Sequence, residues 1–223
     1  MKRVAKTPRE PPDRREQSAA PLVPDKHRLP VLRAAAKSCL ACDLGPPAAQ
    51  TVFGEGAASA RLILIGEQPG DDEDRQGRPF VGPAGKLLDR ALAAAGIERK
   101  TVYVTNAVKH FSFVYRGKRR LHAKPHVRYV RACQPWLAAE LDAVSAKVIV
   151  CLGATAAQAL LGPRFALTRN RGQVSEHSSG KSVLATYHPS AALRAPDEAA
   201  RRVTYEALVE DLTRARKLAE RGR

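Results

Sequence analysis

The stretch 61–92 constrains the fold more than any other part of this sequence. An apolar run at 62–65 breaks sharply at the turn GEQPG (66–70), and a helical pattern begins at Lys86. A buried strand followed by a polar loop and a helix is one βα unit. Ligands in such folds bind at the carboxyl ends of the strands. Glu67 and Gln68 follow this strand directly and are placed for chemistry, although a solvated loop acid is the alternative for Glu67.

Three further apolar runs predict three further strands, at 101–106, 147–152 and 182–186, and a closing helix is predicted from about 196 to 218. Helical patterns separate the runs, which favours an α/β fold with a parallel sheet covered on both faces. Glu67, Asn106 and His188 stand at three of the four strand ends. Because parallel strands end at one edge of a sheet, we expect these side chains to converge, whereas a lone histidine is usually structural.

The net charge of the chain indicates what kind of partner it binds. The 223 residues have room for one α/β domain with tails, and they carry a net charge of +16 with a pI near 10.2. Such a balance favours a polyanion, with nucleic acid the first expectation and an acidic membrane surface the second. No apolar run reaches transmembrane length, so we expect a soluble, cytoplasmic protein. Residues 1–33 are basic and rich in proline, which predicts a disordered arm; 34–218 form the domain and 219–223 a tail.

The most unusual segment lies between Asn106 and Cys133. It holds eight Lys or Arg residues and no acid, interleaved with four aromatic residues and three histidines. Basic groups neutralise phosphates and aromatic rings stack on unpaired bases. The segment therefore predicts a loop that contacts nucleic acid beside the site, and a solvated charge run is the alternative.

Four cysteines are present, at Cys39, Cys42, Cys133 and Cys151. The C-x2-C spacing of the first two is used by zinc sites, iron–sulfur clusters and redox dithiols alike. The set of four fits a four-thiolate cluster that ties the N-terminal segment to the core. The alternative is that Cys133 and Cys151 are buried small hydrophobic residues, since Cys151 lies in a predicted strand.

Together these motifs resemble the iron–sulfur uracil-DNA glycosylases over about 34–218. The resemblance is carried by GEQPG (66–70), PFVGPAG (79–85), TN (105–106), HPS (188–190) and the four cysteines. Gln68, with the insertion KRRLH (118–122), resembles the UdgX branch, although Leu121 stands where that branch commonly has isoleucine.

The resemblance implies a three-layer α/β/α sandwich around a four-stranded parallel sheet, with one [4Fe-4S] cluster on the four cysteines. It implies excision of uracil from DNA, preferably single-stranded. It also implies that a loop histidine, here His122, becomes covalently attached to the abasic sugar. Separately, we expect a monomer that does not bind membranes.

Roles for the site residues follow from the resemblance and from the chemistry of each side chain. The residues expected to take part in catalysis are Glu67, His122 and His188. Those expected to bind uracil are Gln68, Gly70, Phe80, Asn106 and His188. Those expected to bind DNA are Lys118, Arg119, Arg120 and Ser190.

Three alternatives stay open at this point. The first is an ordinary hydrolytic uracil-DNA glycosylase that turns over many times, against which the loop 118–122 argues. The second is a nucleic-acid-binding module with a zinc ribbon, although a ribbon needs two close cysteine pairs. The third is a dinucleotide-binding enzyme, but GEQPG lacks the G-x-G-x-x-G spacing.

Overall fold

A computed structural model describes residues 17–221 of the chain. Its central sheet has five strands in the order β2-β1-β5-β7-β6, and a separate pair, β3 and β4, forms a hairpin. The strands are β1 (Leu62–Gly66), β2 (Val102–Asn106), β3 (Phe113–Arg116), β4 (Arg119–His122), β5 (Val148–Leu152), β6 (Val174–Glu176) and β7 (Ser182–Thr186).

Helices cover both faces of the sheet. They are α1 (Leu29–Ala36), α2 (Asp71–Gln76), α3 (Pro83–Ala94), α4 (Val127–Ala143), α5 (Ala154–Leu161), α6 (Leu167–Asn170), α7 (Pro189–Leu193) and α8 (Glu198–Arg221). Helices α3 and α8 pack on one face and α4 and α5 on the other. Every residue of β1, β2 and β5 is buried, because a strand between two helical layers has no solvent-facing side.

The strand periodicity assigns alternate residues to the two cores. Leu62 and Leu64 of β1 pack toward α3 and α8, whereas Ile63 and Ile65 pack toward α4 and α5. Strands β2, β1, β5 and β7 run parallel, in the register Gly66 opposite Asn106. The carboxyl ends of these four strands therefore lie along one edge of the sheet.

The predicted α/β sandwich is confirmed, and three local details differ from the prediction. The sheet gains a fifth strand, β6, which pairs antiparallel with β7 at the edge. The acidic segment after GEQPG is helix α2 rather than a loop. Four acidic residues in its first turn interact favourably with the positive, N-terminal end of the helix dipole and stabilise the helix. The basic loop is a β-hairpin.

The N-terminal boundary of the domain is also corrected. Residues 17–33 belong to the predicted disordered arm, yet Ala19, Leu29 and Leu32 are buried. The Ala19 N–H donates to the Ala132 carbonyl at 2.9 Å, and His27 Nδ1 lies 2.7 Å from Asp142 Oδ2. These contacts tie the segment to α4. The remainder of that arm, residues 1–16, and the last two residues of the predicted tail lie outside the described residues.

Within residues 17–221, no helix is long and apolar enough to span a bilayer.

A fully buried ion pair joins α4 to the end of β2. Lys109 Nζ donates to Glu140, to Thr105 Oγ1 at 2.7 Å and to the Asn106 carbonyl at 2.7 Å. The other Glu140 oxygen accepts from Tyr103 at 2.8 Å. Both charged side chains are 0% exposed, so each depends on the other to offset the loss of its hydration.

Replacing Lys109 by Met should destabilise the fold by about 3–5 kcal/mol, because Glu140 would be left buried without its cation. Urea unfolding measures the change, with the exposed Lys86→Met as the matched control. The double variant Lys109→Met/Glu140→Gln should recover part of the loss, since it buries no charge. A single variant within about 1 kcal/mol of the wild type would contradict a stabilising role for the pair.

Candidate active site

A pocket of about 660 Å³ opens at the carboxyl edge of the parallel strands. The three predicted strand-end residues, Glu67, Asn106 and His188, all line it. Seven other predicted residues are distributed between the pocket and its rim. Gln68, Gly70, Phe80, His122 and Ser190 line the pocket, whereas Lys118 and Arg119 lie exposed on the hairpin β3–β4.

One wall of the pocket brings an amide and an aromatic ring together. Asn106 is 2% exposed and ends β2 opposite Gly66 of β1. A Cβ at Gly66 would lie 2.3 Å from Asn106 Oδ1 and 2.7 Å from Phe80 Cζ, so glycine is required there. Phe80 itself has a φ of 57°, a conformation that costs a bulky residue about 1–3 kcal/mol. In this conformation its ring lies beside that of His188, with centroids 6.1 Å apart.

Glu67 has a partner on each carboxylate oxygen. Thr155, in the first turn of α5, donates to Oε2, and His122 Nε2 lies 3.3 Å from Oε1. Burial alone would raise the pKa of Glu67, but the hydrogen bonds from His122 and Thr155 outweigh it and the pKa is lowered. Glu67 is therefore an anion at neutral pH, oriented from both sides.

His188 is held as one neutral tautomer. It caps α7, and its Nδ1 accepts the Ser190 backbone N–H at 3.1 Å and lies 2.7 Å from Ser190 Oγ. An atom that accepts from a backbone N–H carries no proton, so the proton of the neutral ring is on Nε2. Burial is the main cause that lowers the pKa of His188 to about 4, against the opposing charge of Glu67. The ring therefore offers a hydrogen-bond donor to the pocket without carrying a charge.

Stability should fall as the pH is lowered from about 7.5 to about 5. Between its ordinary pKa of about 6.5 and its folded value, His188 takes up a proton in the unfolded chain but not in the folded one. Acid therefore favours unfolding, by about 2 kcal/mol for this group over the window. Urea unfolding at both pH values tests this. His188→Asn, which retains a capping acceptor and does not titrate, should lose that share of the pH dependence; an unchanged slope would contradict the assignment.

The hairpin that carries His122 is clamped at its base by Gln68. Gln68 Nε2 donates to the carbonyls of Ser112 at 3.0 Å and Ala123 at 3.1 Å, and its Oε1 accepts the Ser112 N–H at 3.1 Å. One buried side chain thus binds the chain just before β3 and just after β4. Gln68 was expected to bind uracil, and these three bonds give it a positioning role for the hairpin.

Arg120 requires a correction. It was predicted to contact DNA, but its side chain is only 11% exposed and pairs with Asp74 and Asp71 of α2, at 2.6 Å each. Its guanidinium also lies over the rings of Phe111 and Phe113, at 5.5 and 5.0 Å. The residue therefore fastens β4 to α2 and has no free face for a phosphate.

Gly70 caps α2, and its N–H donates to Glu73 Oε2 at 3.0 Å.

Thr155 is a functional residue that the sequence did not predict. The first two residues after β5 are Gly153 and Ala154, and Thr155 donates to Glu67 from the first turn of α5. A signal was available, because β5 also ends at this edge of the sheet and the residues that follow it are candidates for the site.

Three of the four predicted metal ligands are neighbours, away from the pocket, although their side chains are not gathered as closely as metal ligands. Cys39, Cys42 and Cys133 are buried, and burial, with a contribution from the neighbouring thiols Cys42 and Cys39, raises the pKa of Cys133 to about 12. Trp136 Nε1 donates to Cys39 Sγ and the Lys109 N–H donates to Cys133 Sγ, each at 3.3 Å. N–H donors aimed at sulfur suit thiolate ligands of an iron–sulfur cluster.

Cys151 lies in β5 and packs into the core between the sheet, α4 and α5. Burial raises its pKa to about 12. Its assignment as a fourth ligand stays a prediction. Across residues 17–221, no group of three or more His, Cys, Asp or Glu side chains is close enough to hold a metal ion.

Comparison with known proteins supplies an independent finding. Residues 53–213 match the Uracil DNA glycosylase superfamily. The chain is 37% identical over 171 residues to a type-4 uracil-DNA glycosylase of Thermotoga maritima, covering 76% of this chain and 85% of that protein. It is 39% identical to the type-4 enzyme of Archaeoglobus fulgidus, covering 71% and 80%. A type-5 uracil-DNA glycosylase of Pyrobaculum aerophilum is 33% identical, covering 72% and 73%.

Proposed function

This chain belongs to the uracil DNA glycosylase superfamily, and we propose that it excises uracil from DNA and then forms a covalent bond to the abasic sugar through His122. The observation that carries the second step is the position of His122. Its ring reaches the pocket on a clamped hairpin, with Nε2 3.3 Å from the Glu67 carboxylate. Together with Gln68, this hairpin supports membership of the UdgX branch.

Recognition of the base follows from the donors and acceptors of the pocket. The target nucleotide must leave the base stack to be reached, and Phe80 offers a ring on which it can stack. Asn106 offers one acceptor and two donors, which complement the N3–H and O4 of uracil. Cytosine presents the reverse pattern at these two positions and is rejected.

Cleavage of the glycosidic bond moves its electron pair onto uracil, which departs as an anion. The Nε2–H of His188 donates to O2, where that charge accumulates, and a donor aimed at developing charge is worth roughly 3–4 kcal/mol in comparable enzymes. The sugar becomes oxocarbenium-like, and the Glu67 carboxylate stabilises its positive charge.

Capture of the sugar completes the reaction. A ring nitrogen of His122 forms a bond to C1′ in place of the broken bond to uracil, and the proton of that ring passes to Glu67. A neutral imidazole is a competent nucleophile, and the bond it forms to the sugar carbon has no easy leaving group. The product is a covalent protein–DNA complex rather than a free abasic strand.

The neighbouring buried cysteines support the presence of an iron–sulfur cluster with a structural role. We propose that Cys39, Cys42 and Cys133 hold it, with Cys151 as the predicted fourth ligand. A [4Fe-4S] cluster bound by four thiolates has no open iron and serves to tie the N-terminal segment to α4. A brown preparation is expected, and iron content tests each ligand: iron retained in full by Cys151→Ala would exclude that residue.

The experiment for the proposed function uses a labelled single-stranded oligonucleotide with one uracil. Matched strands carry cytosine or thymine at the same position. Denaturing electrophoresis should show a slow band, protein bound to DNA, with the uracil strand alone. Alkali-sensitive abasic DNA without a slow band would support the ordinary hydrolytic enzyme instead, and intact DNA in all lanes would contradict both.

A further inference from the structure

The outer half of the hairpin β3–β4 has features that the catalytic pocket does not use. Val114, Tyr115 and Leu121 are exposed at 56%, 70% and 39%. These three large apolar side chains lie on a ribbon of ten residues, with Val114 and Leu121 paired on one face and Tyr115 on the other. Because these side chains are exposed, packing in the core of the protein does not account for their apolar character.

Register places Tyr115 on the same face of the ribbon as His122. Residues directly opposite each other in an antiparallel pair share a face, and Phe113 pairs with His122 while Tyr115 pairs with Arg120. Tyr115 is thus two residues further out along the strand, about 7 Å from the Phe113–His122 pair. This separation suits a nucleotide next to the one held in the pocket.

The ring of Tyr115 is supported from behind. Phe111, Phe113 and Tyr115 form a ladder with centroids 5.1 and 5.3 Å apart, and the last contact is edge-on at 89°. Arg120, fixed by the two aspartates of α2, braces the inner rings. The inner end of the ladder is buried and its outer end is open, so Tyr115 is a presented aromatic face rather than a loose side chain.

Positive charge lies at the tip of the hairpin, next to Tyr115. Lys118 is in the turn, and Arg116 and Arg119 pair with each other on the reverse face of the ribbon. All three are exposed, and none of them forms an ion pair within the described part of the chain. An exposed aromatic ring beside unpaired cations is the combination by which proteins bind unpaired nucleic acid, through stacking and phosphate contacts together.

Resting on the proposed uracil excision, we infer that Tyr115 is a stacking platform for a base adjacent to the target in single-stranded DNA, with Lys118 and Arg119 on the neighbouring phosphates. The hairpin thereby has two functions. Its inner end presents His122 to the sugar, and its outer end holds the flanking strand. A paired duplex offers no free base to Tyr115, so this platform also favours single strands over duplexes.

Fluorescence anisotropy with a labelled, uracil-free oligothymidine tests the platform independently of catalysis. Tyr115→Ala should weaken binding about tenfold or more, because base stacking on an aromatic ring is lost. Tyr115→Phe should bind like the wild type. Val203→Ala, at a site 62% exposed on α8, is the matched surface control and should have no effect.

Two further readouts separate stacking from charge. Tyr115→Ala should leave the slope of log affinity against log salt unchanged, whereas Arg119→Gln should reduce it by about 0.7 for one phosphate contact. The loss in Tyr115→Ala should also be smaller on a duplex of the same length. Wild-type affinity in Tyr115→Ala, or an equal loss on duplex and single strand, would overturn the inference.

Uracil excision is measured on the same preparations. A wild-type protein that binds oligothymidine through Tyr115 but leaves uracil in place would contradict the proposed function and not the platform. Excision that proceeds while Tyr115→Ala binds normally would contradict the platform alone.

Discussion

Glu67→Gln should reduce the rate of uracil excision by about a hundredfold to a thousandfold, and covalent capture with it. Glutamine has the same shape and can still accept from Thr155 and contact His122. It lacks the negative charge that faces the oxocarbenium-like sugar, and it cannot take the proton from the ring. The lowered pKa of Glu67 means that the wild-type carboxylate is charged at neutral pH, so the substitution removes a charge that is present. Single-turnover excision from a uracil-containing single strand measures the effect.

Glu206→Gln, on the exposed surface of α8, is the control for loss of one carboxylate and should be fully active. Unfolding by urea should show that Glu67→Gln remains folded. Full excision in a folded Glu67→Gln protein would remove Glu67 from the mechanism.

His122→Ala should abolish the covalent product while some uracil excision continues. Departure of uracil depends on Asn106, His188 and Glu67, all of which remain in the variant. Glu67 loses the contact with His122 but keeps its hydrogen bond from Thr155, so excision should be slower but not abolished. Without the imidazole, water captures the sugar and an abasic site is released. The slow band on a denaturing gel should therefore vanish, and alkali should reveal abasic DNA in its place.

His126→Asn tests whether the loss is specific to one histidine of this segment. His126 is exposed and caps α4, where asparagine also serves as a cap. This variant should form the covalent product as the wild type does. A slow band that survives in His122→Ala and disappears in His126→Asn would transfer the nucleophile to the other histidine.

Much of the fold could be predicted because the strands are buried on both faces. Continuous apolar runs such as 62–65 and 148–152, each bounded by turn residues or charge, predict buried central strands, and the carboxyl ends of parallel strands lie at one edge. The convergence of Glu67, Asn106 and His188 on one pocket follows from this topology alone. Their detailed roles depend on contacts that no local pattern specifies.

The hairpin shows where sequence reasoning failed. A run of basic residues predicts contact with phosphate, but Arg120 is paired with Asp71 and Asp74, which lie more than forty residues earlier in the chain. Lys118 and Arg119, the two residues before it, remain exposed. Which cation of a run is used internally depends on long-range pairing, and sequence alone does not reveal it.

The N-terminal segment was misjudged for a related reason. Its proline and basic content predicts disorder, yet a few apolar side chains, Ala19, Leu29 and Leu32 among them, suffice to dock 17–33 on α4. Composition averages over a segment, whereas docking depends on individual side chains that find a partner surface.

Intact-protein mass spectrometry after exposure to a uracil-containing single strand detects capture of the sugar by His122 directly. We expect a new species equal in mass to the protein plus the oligonucleotide minus one uracil, with the modified peptide containing His122. Unmodified protein together with free abasic oligonucleotide would contradict it.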